Sequence, residues 1–124
     1  MVGLLVLIAA HVACRDSVTA PSSAPTIISL SPALAQIGDT ITVTGTGFTQ
    51  TGNAIQIGTG YVLGVPSSDG KTLRFVLPAY LGSCPPFVDV CAMFAIQVSP
   101  GTYQLFVINA HGTSNAVSLT NIQT

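Results

Sequence analysis

The most regular pattern of apolar and polar positions in this chain lies between residues 40 and 46. There Ile41 and Val43 alternate with threonines, so one side of the segment is apolar and the other carries hydroxyl groups. A period of two with β-branched residues at nearly every position is typical of a half-buried strand and disfavours a helix. Similar runs predict strands at residues 27–30, 54–57, 61–65, 72–77, 103–109 and 116–120.

Turn-forming residues separate these runs, and no segment has a helical period. The turns are predicted at Gly38-Asp39, Gly45-Thr46-Gly47, Ser68-Asp69-Gly70, Pro100-Gly101 and His111-Gly112. Ser68-Asp69-Gly70 is the strongest hairpin signal, because Asp-Gly accepts the positive φ angles of a tight turn. About seven short strands at this spacing predict an all-β fold, an immunoglobulin-like antiparallel β-sandwich. A small barrel is the alternative.

Strand parity also predicts which side chains form the core. The expected inward set is Ile41, Val43, Phe48, Ile55, Ile57, Leu73, Phe75, Tyr103, Leu105, Val107, Val117 and Leu119. Pro32 should end the first strand, because proline cannot donate to a ladder. Gly45 and Gly47 allow a close bend that returns Phe48 to the core. Tyr103 is expected at a corner, with its ring buried and its hydroxyl bonded to backbone.

Several of these segments, in this order, resemble the IPT/TIG domains. The resemblance is carried by PTIISLSP at residues 25–32, GDTITVTGTGF at 38–48, VLP at 76–78, PGTY at 100–103 and GTSNA at 112–116. It implies an extracellular β-sandwich over residues 26–124 of the kind that recurs in surface receptors, adhesins and polysaccharide-acting enzymes as a spacer or interaction module. IPT/TIG domains of transcription factors contact DNA through basic loops, which this chain lacks.

The N-terminal segment predicts export. Residues 1–13 form an apolar run that is too short for a bilayer but suits a signal peptide. Cys14 follows directly, and this junction resembles a bacterial lipobox, so we expect a signal peptide over residues 1–14 and acylation of Cys14. The alternative is an ordinary leader cut near Ala13 or Ala20. Residues 15–25 are rich in Ser, Ala and Pro and predict a flexible linker. The predicted location is the cell surface, anchored to the outer membrane, or the extracellular space.

The segment from residue 79 to residue 99 is longer than the connection usual in IPT/TIG domains. It contains Cys84 and Cys91, which in an exported domain are expected to form a disulfide. Such a short closed loop would add about 2.5 kcal/mol by the loop-entropy model. The alternative is a metal or redox site, but zinc needs four ligands and His111 is the only histidine after the leader.

This insertion also brings apolar side chains that need cover. The candidate interaction patch comprises Tyr80, Leu81, Phe87, Phe94, Phe106 and Ile108, of which the last two point outward by strand parity. In one interpretation the disulfide-pinned loop folds over the outer face of the sheet and forms a satellite core. In the other, part of the patch stays exposed as a docking surface for another copy or another protein.

Composition narrows the function further. The chain has only three basic and four acidic residues, which is too little positive charge to hold nucleic acid or a lipid surface without an acyl anchor. No catalytic or phosphate-binding motif is present, so we expect no enzyme activity and no cofactor. Asp39, Asp69 and Asp89 lie in separate loops, where calcium is the alternative to turn and solubilising roles. We expect His111 in an exposed turn, and Lys71 with Arg74 at a solvated sheet edge.

These observations predict a non-enzymatic binding or structural module of the cell surface. Its partners would be other surface proteins or copies of itself. The first alternative is a subunit of an extracellular filament or surface layer, in which residues 17–26 add a strand to a neighbour's sheet. The second is an accessory carbohydrate-associated domain, which the absence of Trp disfavours.

Overall fold

The alternating segments pair into two sheets in the computed structural model, which describes residues 23–122. Cys14, the leader and most of the linker lie outside the described residues. The strands are β1 (Thr26–Ser31), β2 (Leu34–Ala35), β3 (Thr40–Thr46), β4 (Asn53–Ile57), β5 (Gly60–Val65), β6 (Thr72–Val76), β7 (Tyr80–Gly82), β8 (Ala95–Gln97), β9 (Gly101–Asn109), β10 (Gly112–Thr113) and β11 (Val117–Asn121).

The smaller sheet has the order β1-β3-β6, and the larger has the order β2-β11-β9-β4-β5-β7-β8, with β10 beside β9. All pairs are antiparallel except β2 with β11, which run parallel. The immunoglobulin-like sandwich is therefore confirmed over the barrel. β2, β7, β8 and β10, each two or three residues long, were not predicted from the sequence.

One hydrophobic core fills the space between the sheets, and the predicted inward set belongs to it. Ten of its members are buried, while Tyr103 and Val117 are half-buried and pack against the core. The core also contains residues that parity did not select: Ile27, Ala35, Val65, Leu77, Leu81 and Val98. Several of these lie near strand ends or in the insertion, where a period of two is too short to recognise.

The predicted strand ends and corner are confirmed. β1 ends at Ser31, directly before Pro32. A Cβ on Gly45 would overlap the carbonyl oxygen of Thr26 and lie 2.9 Å from Cζ of Phe48, so only glycine allows the buried Phe48 ring and the first strand to meet there. The Tyr103 hydroxyl donates to the carbonyl oxygen of Ser99 at 2.6 Å.

The hairpin predicted at residues 68–70 is wrong. Gly70 does adopt a positive φ of 75°, but this turn joins β5 of the larger sheet to β6 of the smaller sheet. The tight hairpin of this region is instead formed by Gly58 and Thr59, between β4 and β5, where Ile57 pairs with Gly60. A local turn signal identifies a reversal of the chain, but it carries no information on which sheet receives the next strand.

Polar side chains close one end of the sandwich around the fully buried Asn53. Its amide nitrogen donates to the carbonyl oxygens of Thr49 at 2.7 Å and Val65 at 2.9 Å. Its amide oxygen accepts from the backbone N–H of Thr49 and from the amide of Asn109, at 2.9 and 3.1 Å. Asn109 also donates to the carbonyl oxygen of Gly47, so the two asparagines tie three loops together.

Candidate functional site

The insertion at residues 79–99 extends the larger sheet. Its two ends form β7 and β8, which pair with each other, and β7 adds to the edge of β5. Cys84 and Cys91 lie between these strands and form the predicted disulfide, with Cα atoms 6.0 Å apart. The two ends of the insertion therefore continue the backbone ladder of the sheet and do not fold over the outer face as a satellite core.

The predicted patch residues divide into three groups. Leu81 is 4% exposed and packs in the main core, so its place in an interaction patch was wrong. Leu81 faces inward because it alternates with Tyr80 and Gly82 along β7, and its side chain fills the space beside Gly60. Tyr80, Phe87 and Phe94 are exposed, and Phe106 and Ile108 are half-buried.

Five residues, of which Leu63 and Tyr80 are exposed and the others half-buried, share the outer face of the larger sheet. We call this surface the outer patch, and it consists of Tyr61, Leu63, Tyr80, Phe106 and Ile108. Across the sheet, Phe106 is opposite Gln56, Gln56 is opposite Tyr61, and Tyr61 is opposite Gly82. Ile108 and Tyr80 lie two residues further along their strands, on the same side.

Side chains of the insertion border the outer patch without covering it. Met93 lies against Gly82, since a Cβ on that glycine would be 2.8 Å from the methionine Sδ. Tyr80 and Leu63 nevertheless remain 59% and 46% exposed. The outer patch carries no charged side chain, so it offers an apolar surface with aromatic rings rather than an electrostatic one.

Sequence reasoning missed Tyr61 and Leu63 although the signal was present. Both belong to the predicted strand at 61–65, and the inward side chain of Val62 between them assigns them to the outer face. The obstacle was the irregular register of β4 and β5 between Asn53 and Ile55, which breaks the alternation before the buried Val65. A bulge of this kind cannot be located from apolar periodicity alone.

Asp69 organises the turn before β6. Its carboxylate accepts from the backbone N–H groups of Lys71 at 2.8 Å and Thr72 at 2.9 Å, and from the hydroxyls of Thr72 and Ser67. The Lys71 N–H is the main cause that lowers the pKa of Asp69, because it stabilises the charged form. These bonds make Asp69 a turn-forming residue, as its sequence context predicts.

The other candidate chemical groups are dispersed. His111 is exposed, and its backbone N–H donates to Oδ1 of Asn109. Asp39 closes the turn before β3 by accepting from the backbone N–H of Gln36, and Asp89 is exposed in the insertion. Within residues 23–122, no three His, Cys, Asp or Glu side chains lie close enough to hold a metal ion.

The two-sheet sandwich described above is that of an immunoglobulin-like module. The family model of the IPT/TIG domain matches residues 25–120, so the chain belongs to the IPT/TIG domain family. The IPT/TIG domain is an immunoglobulin-like domain that is non-catalytic in itself. The described residues contain no helix with the length and apolar character needed to cross a membrane.

Two solved structures illustrate where similar domains occur. A Gamma-CGTASE from an alkalophilic Bacillus clarkii matches 80% of this chain at 25% identity with a TM-score of 0.57, over 12% of its own length. SGBP-B, from a complex xyloglucan utilization locus in Bacteroides uniformis, matches 82% of this chain at 20% identity with a TM-score of 0.50, over 23% of its own length. This chain thus corresponds to a minor part of each. A search of curated proteins gave no match.

Proposed function

We propose that this chain is an exported, non-enzymatic binding or structural module that is tethered to the cell surface through an acylated Cys14. The observation that carries the proposal is the outer patch, a set of exposed and half-buried apolar side chains on one sheet face whose opposite face is used for packing. Contiguous apolar surface of this kind marks protein contact sites. The disulfide between Cys84 and Cys91 supports export, because such bonds persist in oxidising compartments.

The partner we propose is another surface protein that presents an uncharged, apolar surface. A photo-reactive phenylalanine analogue at Tyr80 is then expected to cross-link to such a protein on intact cells. The same analogue at Val76 is the matched control, because Val76 is 55% exposed but lies on the smaller sheet. Equal cross-linking at both positions, or none at Tyr80, would contradict a partner at the outer patch.

The anchor is tested separately. Metabolic labelling with an alkyne fatty acid should modify the wild-type chain and not a Cys14→Ser variant, and the variant should leave the membrane fraction. Mass spectrometry of the mature N-terminus distinguishes acylated Cys14 from a leader cut near Ala13 or Ala20. An unmodified N-terminus produced by a cut near either alanine would exclude the lipid anchor. It would leave the proposal for the outer patch unchanged.

A second candidate function is contact with a polysaccharide. On the outer face, Tyr80 is opposite Gln97 and Tyr61 is opposite Gln56, so rings lie beside amide groups. Rings that stack on sugars and amides that bond hydroxyl groups are the chemistry of such sites. Migration in native gels that contain xyloglucan or an α-glucan tests this: retardation that Tyr80→Ala abolishes would support it, and unchanged migration would exclude it for those glycans.

The filament alternative depends on residues 17–26 acting as a donor strand. Thr26 already pairs with Thr46 inside its own chain, so a donor segment has to lie before it. Deletion of residues 15–22 should then abolish large assemblies in negative-stain images of the exported protein. If no assemblies form with these residues present, the filament is excluded.

A further inference from the structure

The two sheets expose four edges, and three of them are protected against pairing with another strand. At β1 the side-chain amide of Asn115 occupies the edge, because it accepts from the N–H of Ile27 at 2.8 Å and donates to its carbonyl oxygen at 3.1 Å. At β6, Lys71 and Arg74 place charges along the edge. β2 is two residues long and follows Pro32. Short strands, charges, prolines and caps are the usual protections of sheet edges.

β8 is less protected: it is also short, with three residues, and the side-chain amide of Asn121 donates to the carbonyl oxygen of Val98 directly after it, but no side chain within residues 23–122 caps β8 itself. It contains no charged residue and no proline, and β7 is its one strand partner among the described residues. The N–H of Ser83 bonds to the carbonyl oxygen of Phe94, and the N–H of Val98 bonds to that of Ala79. Since bonded residues alternate along an antiparallel strand, the backbone of Ile96 also faces β7. The N–H and C=O groups of Ala95 and Gln97 therefore point to the open edge.

The core-facing side of β8 is only partly covered. The larger sheet is wider than the three-stranded one, and β5 contacts β6, whereas β7 and β8 mainly contact each other and β5. Along this side the exposed fraction increases outward through the insertion: Val98 is 5% exposed, Ile96 is half-buried and Phe94 is 67% exposed. We call Phe94, Ile96 and Val98 the edge strip.

We propose that β8 of one chain pairs antiparallel with β8 of a second copy, about a two-fold axis at Ile96. In this register Ala95 of each chain is opposite Gln97 of the other, and the four outward backbone groups of each strand form four hydrogen bonds across the interface. The edge strip meets its own copy, with Ile96 against Ile96 and each exposed Phe94 beside the end of the other chain's β8 that leads to the buried Val98. The two larger sheets then form one continuous sheet.

The occupant is a second copy because the edge is self-complementary. An isologous interface requires that the same surface fit itself, and an open strand edge that pairs antiparallel with its own copy about a two-fold axis meets this condition. No like charges are brought together, since the nearest charged residue in the insertion is Asp89, outside β8. Three paired residues per chain form a small contact, so the dimer is expected to be weak.

Sedimentation velocity of the exported protein over a range of concentrations tests the dimer. A Cys14→Ser background removes any acyl chain, so the result does not depend on the proposed anchor or on the outer patch. We expect a monomer at about 1 µM and dimer at several hundred µM, in the range of weak transient interfaces. A wild-type chain that remains monomeric throughout would overturn the proposal.

Two substitutions test the register. Gln97→Pro removes an outward N–H without touching the bonds to β7, and proline is tolerated at sheet edges. Phe94→Ser truncates the edge strip, and Phe87→Ser is its matched control because Phe87 is 68% exposed in the same insertion. We expect Gln97→Pro and Phe94→Ser each to weaken association at least tenfold and Phe87→Ser to leave it unchanged.

Circular dichroism verifies that the variants keep their strand content. The second measurement is hydrogen exchange in the wild type, which needs no substitution and so does not depend on how a variant folds. Hydrogen exchange at Ala95 and Gln97 should slow with rising concentration in the wild type, while exchange at Ile96 stays constant. Association that persists in Gln97→Pro would refute this edge. If large assemblies form and are lost on deletion of residues 15–22, the chains associate by donor-strand addition, and the symmetric dimer is refuted.

Discussion

Replacement of the buried Asn53 by alanine is expected to destabilise the domain strongly. The substitution removes two donors and one acceptor from a side chain with no exposed surface. The N–H and carbonyl oxygen of Thr49 and the carbonyl oxygen of Val65 lose their partner on Asn53, and Asn109 keeps one of its two acceptors. Each buried polar group left without a partner costs about 1–3 kcal/mol. With three such groups, two of them on the half-buried Thr49, we expect a loss of at least about 3 kcal/mol.

A loss of that size is a large part of the roughly 5–15 kcal/mol by which such domains are stable. Urea unfolding, followed by tyrosine fluorescence, measures it as a lower midpoint at constant slope. Gln56→Ala is the control, because Gln56 is half-buried on the outer face and its amide donates to Gly58; we expect it to cost less than about 1 kcal/mol. A similarly small loss for Asn53→Ala would refute the role assigned to this network.

Asn53→Asp gives an independent check through pH. A carboxylate at this position faces the carbonyl oxygens of Thr49 and Val65, which were bonded to the amide nitrogen. Burial and these carbonyls raise the pKa of the new Asp in the folded state above its unfolded value of about 3.9. The variant should therefore lose stability as the pH rises above about 3.9, and the loss should level off above the folded-state pKa. An unfolding midpoint independent of pH would contradict the buried amide geometry.

Three further substitutions test other parts of the structure. Asn115→Ala removes both bonds to the backbone of Ile27, so we expect a loss of about 1–3 kcal/mol in urea unfolding and faster hydrogen exchange in β1. Gly60→Ala places a Cβ 2.5 Å from Cβ of Leu81, and we expect overpacking to cost about 1–3 kcal/mol in the same assay; an unchanged midpoint would contradict this contact. Asp69→Asn should be less stable than the wild type at neutral pH. Because the folded-state pKa of Asp69 is lowered, the difference in stability between the two chains should disappear as the pH falls through that pKa. Thermal unfolding between pH 7 and pH 2 measures this, and a difference that persists at low pH would contradict the role of the carboxylate.

The sandwich was predictable where the chain alternates over at least four residues. β3 shows this best: threonines lie outside and Ile41 and Val43 inside, as the period of two requires. The corner position of Tyr103 followed from its place after Pro100-Gly101. β7 and β8 could not be predicted in the same way, because strands of three residues show at most one full alternation. Their pairing depends on the disulfide-closed connection and on the free edge of β5.

The candidate surface was predictable only in part. Phe106 and Ile108 were assigned outward from the buried Val107 between them, and the structure agrees. Leu81 was grouped with Tyr80 because the insertion was treated as one loop, although neighbouring residues of a strand face opposite sides. The buried asparagines gave no signal, since Asn53 and Asn109 resemble turn residues until the loops they connect are seen together.

The parallel pairing of β2 with β11 has a mechanical consequence. The N–H of Thr120 bonds to the carbonyl oxygen of Ala33, and the N–H of Ile122 bonds to that of Ala35. Because β2 and β11 run in the same direction, tension applied between the two ends of the chain displaces them along their length. Both bonds are then stretched at the same time, whereas in a hairpin pulled open from one end they would rupture in sequence. Once β1, which precedes β2, has detached from β3, a chain pulled at both ends therefore resists extension at this point in shear.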